Sequence, residues 1–435
     1  MSTQALSEAV SGAPARGRSR LVVGLVFLVF FVISFLTNIL GPLIPDIITG
    51  FRVSLAMAAI LPFAFFIAYG VMSIPAGFAV QRFGEKALIV VAFAAATVGA
   101  AGFARFPGYA MAVASLFVIG AGMAALQVAV NPLLRVAGGE EHFAFNSAFA
   151  QLIFGVASFL SPMVYSALLQ GLSAPAADRG GLVRLLGELT PATLPWASIY
   201  WVFAVLSGAC VVLFALVRLP AVERRDDESA GTLSMYRQLA GSRVVWSYFI
   251  AIVAYVGCEQ GTADWMSPFL ERYHGIDPHQ GGASAVAYFW GLMTAGCLVG
   301  MVLLRLVDSR RVLFLFSLGA LVTLSLGLFG PTSVAVIALP CVGFFASIMW
   351  PTIVSLALNS VPQHHGPLAG ILCSGIMGGA LVPLLIGWLG DQCGSLRLGM
   401  LLLYATFGIV LSVALWARPL VTNAVIGAAP ESVTG

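Results

Sequence analysis

Long apolar runs divide this chain, and they leave few architectures open to it. Twelve stretches carry about 20 or more mostly apolar residues, the length that crosses about 30 Å of hydrocarbon as a helix. They fall at residues 20–42, 54–80, 86–105, 108–136, 143–171, 196–217, 243–270, 280–305, 310–330, 332–361, 366–390 and 396–418. Only 9% of the 435 residues are charged, against about 25% in soluble domains; 60% are hydrophobic and the mean hydropathy is +0.99. In hydrocarbon the backbone must bond to itself, so a spanning segment is a helix or belongs to a closed barrel. No alternating pattern of barrel strands is present. The runs predict an all-α membrane protein with twelve transmembrane helices.

The segment ahead of the first run, MSTQALSEAVSGAPARGRSR, is polar and basic, and the run after it is too long for a cleaved signal peptide. Both termini are therefore expected in the cytoplasm, the chain being multi-pass in the cytoplasmic (inner) membrane. On that assignment fifteen of the 21 Lys and Arg residues fall inside and six outside, a positive-inside bias. The net charge of +3 follows from topology and implies no nucleic-acid partner. Cys210, Cys258, Cys297, Cys341, Cys373 and Cys393 lie in or at the edge of apolar runs without CxxC or Cys/His spacing. They are expected to be small buried hydrophobes, and no metal site is expected.

One hydrophilic stretch, RLPAVERRDDESAGTLSMYRQLAGSRVV (218–245), divides the runs into two groups of six. The expected organisation is a cytoplasmic tail at 1–19, an N-terminal six-helix bundle at 20–217, a cytoplasmic linker at 218–242, a C-terminal bundle at 243–418 and a tail at 419–435. The halves echo each other. GFAVQRFGEK (77–86) is matched by GMVLLRLVDSRR (300–311), and FGVASFLSP (154–162) by IMGGALVP (376–383). Such repeats usually mean two pseudo-symmetric bundles with a substrate site between them at mid-depth.

Polar side chains at bilayer depth are costly and normally face a protein interior or a water-filled cavity. The first half places Asn38, Gln127, Asn131, Asn146 and Gln151 there, and the second Glu259, Gln260, Asp264 and Asn359. Gln127 and Asn131 are four apart, on one helix face. Asp264 and Trp265 follow Glu259 by five and six, and the acid and the indole are expected to border the same cavity. Pro42, Pro45, Pro132 and Pro268 remove backbone donors and can free carbonyls toward it. The plainer alternatives are that the amides bond a neighbouring helix, and that Asp264 sits solvated near the outer surface. Glu259, about 22 Å along its helix from the cytoplasmic start, is the best-placed carboxylate.

The GFAVQRFGEK loop resembles the GxxxDRxGRR signature of the major facilitator superfamily, with Gln81 where Asp is usual and Glu85-Lys86 where two basic residues are usual. The resemblance implies a conformational gate at Gly77, Arg82 and Gly84, with Arg305 and Arg310 as second-half counterparts; snorkelling charges are the plainer reading. More narrowly, FLTNILGPLIPDI, AYGVMSIPAGFAVQRFG, LQVAVNPLLRVAGG, FNSAFAQLIFGVASFLSP, YVGCEQGTADWMSPFL and SIMWPTIVSLAL are similar to blocks of the fucose:proton symporter family. That family contains proton- or sodium-driven sugar importers. In its proton-driven members, acids on the first and fourth helices serve coupling. By the resemblance those positions fall on or near Gly41 and on Gln127, so both carboxylates are missing here, and Gln cannot titrate.

The expected function is transport of a neutral monosaccharide by alternating access, with ion-coupled import. Substrate contacts are expected from Asn38, Gln127, Asn131, Gln151, Glu259, Gln260, Trp265 and Trp350, and coupling from Glu259 and Asp264. No cofactor is expected beyond a coupling ion, proton or sodium. The expected partners are the sugar and the lipid bilayer, the protein acting as a monomer. No Lys or Arg lies deep in a run, which disfavours anionic substrates. An exporter of the same superfamily and an uncoupled sugar facilitator remain alternatives. The five histidines fall in predicted loops, and no nucleophile–base or metal cluster suggests an enzyme.

Overall fold

The computed structural model describes residues 20–138, 143–175, 178–219, 233–361 and 365–419, and these are nearly all helical. The expected tails and most of the linker lie outside the described residues; within the linker, Leu233–Ala240 forms a short helix. Eleven helical segments are long and apolar enough to cross a membrane: Arg20–Phe51, Leu55–Arg105, Tyr109–Val130, Phe149–Ser173, Pro195–Leu216, Arg243–His274, Pro278–Leu306, Ser309–Phe329, Thr332–Ser360, Pro367–Gln392 and Leu396–Trp416.

The second of these has 51 residues, about 77 Å of helix, more than twice the hydrocarbon thickness. It is two helices. Gly84 breaks it with φ 80 and ψ 165, a conformation a Cβ would oppose. The eleven segments therefore make twelve spans, numbered here in chain order. An even number of crossings puts residues 20 and 416 on one side, called the near face; the other is the far face.

Two spans are interrupted in the same way. The first stops at Thr37 and resumes over Leu40–Phe51; the tenth stops at Ala346 and resumes over Met349–Ser360. In each, a proline, Pro42 or Pro351, is the third residue of the resumed helix, where a missing N–H leaves no hydrogen bond unmade. Each proline leaves the carbonyl four residues back without its helical donor. At Ser347 the Cys297 thiol fills that place, donating at 3.3 Å.

The halves meet where the first span crosses the seventh, the second lies on the eleventh, and the fifth packs on the eighth. Glycines set two of these crossings. A Cβ at Gly41 would lie 2.6 Å from the Ala263 carbonyl oxygen, and one at Gly155 would overlap the Thr294 side chain.

Within each half, a basic residue of the loop after the second or eighth span ties down the last span of that half. Lys86 Nζ donates to the Ala215 carbonyl at 2.9 Å, and Arg310 Nη1 to the Ala417 carbonyl at 3.4 Å. Each bond satisfies a helix-end carbonyl that has no partner within its own helix. The loop repeat read in the sequence thus has a structural counterpart in both halves. The cysteines depart from expectation in part. Cys210 and Cys258 are buried, Cys297, Cys341 and Cys373 are half-buried, and Cys393, at the end of the eleventh span, is exposed.

Candidate functional site

Between the halves lies a cavity of about 370 Å³, within the about 300–1,000 Å³ usual for small-molecule sites. Asn38, Gln127 and Gln151 line it from the first half, Glu259, Gln260 and Trp350 from the second. Among the described residues, no Lys, Arg or His lines it. Toward the near face it follows the eighth span as far as Leu304, close to the end of that helix at Leu306.

Each polar group has a definite setting. Asn38 is 3% exposed at the interruption of the first span, and its Nδ2 donates to Ser158 Oγ at 2.8 Å and Ser34 Oγ at 3.3 Å. Its amide nitrogen is thus committed to joining the first and fifth spans, and the oxygen is left for a ligand. Glu259 is half-buried; Gln260 Nε2 donates to its Oε1 at 3.2 Å, and the Tyr255 hydroxyl stands beside it. Tyr255 also packs near Trp350, ring centres 6.3 Å apart. Gln127 is half-buried and Gln151 exposed to the cavity. The Asn131 side chain lies outside the described residues.

Two expected members are elsewhere. Trp265 is 0% exposed, and its Nε1 donates to the Pro383 carbonyl of the eleventh span at 2.9 Å. Asp264 is 1% exposed and absent from the cavity lining; it is neither at the cavity nor at a solvated surface. Helix geometry explains the correction. At about 100° per residue, positions five and six after Glu259 are turned by about 140° and 240° from it, so they face other spans. Spacings of three, four or seven share a face.

Of the expected gate residues, Arg82 is exposed over the Phe83 ring, 5.3 Å from its centre, and makes no hydrogen bond among the described residues. Arg305 is exposed, Gly77 is half-buried, and Gly84 supplies the break. Arg310 also meets Asp308 Oδ1 at 3.4 Å.

Sequence reasoning overlooked two groups. The cavity also takes Tyr69, Trp290 and Thr294, which in sequence look like ordinary core residues. At the far face, Asp391 accepts from Leu55 N at 3.1 Å and Ala56 N at 2.8 Å, capping the second span from the other half. Asp46 receives the Tyr165 hydroxyl and stands 3.6 Å from His279 Nε2, and Ser166 donates to the His279 carbonyl. These contacts join the halves and close the far face. An acid close to a proline in the PLIPDI stretch was the one signal that could have drawn notice to Asp46.

Residues 26–373 match the model of the Major Facilitator Superfamily. The chain belongs to that superfamily. Among curated members, a glucose/galactose transporter of Brucella abortus is 30% identical over 380 residues, covering 84% of this chain and 87% of the relative. The L-fucose-proton symporter of Escherichia coli is 26% identical over 414 residues, covering 91% and 92%. The solved Escherichia coli fucose:proton symporter superposes with a TM-score of 0.66 at 22% identity, over 92% of this chain and all of that one. An inward-facing bacterial homologue of the lysosomal transporter Spinster gives 0.74 at 15% identity, over 93% and 97%. These superpositions share the superfamily's twelve-span fold.

Proposed function

We propose that this superfamily member carries a neutral monosaccharide across the cytoplasmic membrane by alternating access, taking it up with a coupling ion, and that the near face is cytoplasmic. The observation that carries this reading is the cavity between the halves. Among the described residues it offers amides and one carboxyl for hydroxyl groups and Trp350 for the C–H face of a sugar ring, with no cation to hold an anion. The sugar contacts are Asn38, Gln127, Gln151, Glu259, Gln260 and Trp350. Asn131, one turn beyond Gln127 on the same helix face, is proposed as a further contact. The named relatives, glucose/galactose and L-fucose transporters, support a sugar as substrate.

Glu259 is the proposed coupling group, because it is the carboxyl that lines the cavity among the described residues. Gln127 and Gly41 stand where the resemblance would put acids, so the proton route of the fucose type is not available through them. Among the described residues, the side chains that bond one half to the other lie at the far face, and they would part when the cavity turns outward. Lys86 and Arg310 would keep each half whole as it turns, beside the gate positions Gly77, Arg82, Gly84 and Arg305.

Uptake of labelled hexoses into proteoliposomes under an imposed pH gradient, an imposed sodium gradient, and neither tests the reading. Accumulation under one gradient is expected. Equal, gradient-independent equilibration would make the protein a facilitator, and no uptake of any hexose in all three conditions would overturn the sugar assignment.

A further inference from the structure

Asp264 is a buried carboxyl that the cavity does not use. It is 1% exposed, and its Oδ2 has no hydrogen-bond partner among the described residues. It lies on the seventh span four residues beyond Gln260, and it meets the first span three residues beyond Asn38, at Gly41. A Cβ there would stand 3.3 Å from the Asp264 Cα. Asn38 and Gln260 line the cavity, so Asp264 sits about one turn beyond it toward the far face, in its roof. For the cavity to open to the far face, this crossing of the first and seventh spans must part.

The surroundings offer a charge nothing. Val382 and Ile386 of the eleventh span and Leu403 of the twelfth pack one turn away at Gly261. The acidic and basic groups on the elements around it are Arg243, Glu259, Glu271, Arg272 and His274 on its own span, Arg20, Asp46 and Arg52 on the first, Asp391 on the eleventh, Arg397 on the twelfth and His279 at the start of the eighth. None of those described bonds to the Asp264 Oδ2. A carboxylate without a hydrogen bond or counter-charge is very costly in a dry interior, whereas the same group in an opened, hydrated crossing pays no such penalty.

We propose that Asp264 is a proton site of the far face: its carboxylate binds one proton from far-side water as the crossing closes and returns it to the same side as the crossing opens. The proposal rests on the alternating-access reading. Because the proton comes from and returns to one side, it adds nothing to the ion balance of transport. It makes the far-open population depend on far-side pH, growing as pH rises, by linkage of protonation to conformation.

Cys297 lines the cavity and can be reached from the far side only when the crossing is open. The test labels solute-free protein in oriented proteoliposomes with a membrane-impermeant thiol reagent from the far side, at far-side pH 5.5 to 8.5 and constant pH on the near side. Modification of Cys297 is read by peptide mass, which separates it from the exposed Cys393. Asp264→Asn, permanently neutral, gives the pH dependence from every source other than Asp264, thiol chemistry included; Asp264→Ala serves if that variant does not reconstitute. Wild-type labelling divided by that of the neutral variant is expected to rise at least several-fold across the range. Parallel curves would overturn the proposal while leaving alternating access standing. No far-side labelling of either protein at any pH would overturn both. No sugar is used, so the outcome is independent of which solute is carried.

Discussion

Trp265 and Glu259 are six residues apart and do different work. The indole N–H of Trp265 is spent on Pro383, so Trp265→Phe removes a buried hydrogen bond worth about 0.5–1.5 kcal/mol. Thermal unfolding in detergent is expected to move to lower temperature by a few degrees, with sugar affinity unchanged. Glu259→Gln is expected to leave the fold intact, abolish accumulation and spare counterflow exchange. Counterflow measured beside net uptake separates the two effects; unchanged accumulation would remove Glu259 from coupling. Gln127→Ala is expected to weaken binding by about 1 kcal/mol or more, the usual scale of one hydrogen bond, seen as a several-fold higher half-saturation in exchange.

Among the helices, the closest approach between halves decides what is tolerated. Gly155 lies against Thr294 so tightly that a methyl group would overlap it. Gly155→Ala is therefore expected to disfavour the far-closed form, raising far-side labelling of Cys297, and Thr294→Ala in the same chain is expected to restore part of the closure. Most of this architecture was legible in the sequence. Run length gave the twelve spans because hydrocarbon thickness dictates helix length, and the GFAVQRFGEK repeat pointed to the loops where Lys86 and Arg310 now hold helix ends. The departures have one cause. Sequence shows which residues are polar, but which way each points depends on rotation about the helix axis and on the neighbouring span. That is why Gln127, Gln151 and Gln260 fell at the cavity while Asp264 and Trp265 turned away. It is also why Trp290, apolar by type, went unnoticed as a lining residue. Asp46 escaped notice because its partners, Tyr165 and His279, are remote in the chain, and His279 reaches it only when the halves meet.

For the molecule as a whole, closure of the far face is divided among separate contacts. Asp391 supplies one, bonding two backbone N–H groups across the halves. Hydrogen bonds to a charged group are worth about 1.5–3 kcal/mol, so Asp391→Ala is expected to shift the balance toward far-open by about tenfold or more. Far-side labelling of Cys297 at constant pH measures that shift, and an unchanged rate would show that Asp391 only caps its helix. Asp46→Asn weakens the pairing with His279 and is expected to act in the same direction.

Lys86 and Arg310 hold their helix ends from within their own halves. No swing of one half against the other stretches either bond. The loops at the near face can therefore travel as finished pieces, like two doors whose hinges and handles stay attached, while the inter-half side-chain bonds among the described residues, which lie at the far face, are the ones such a swing would break.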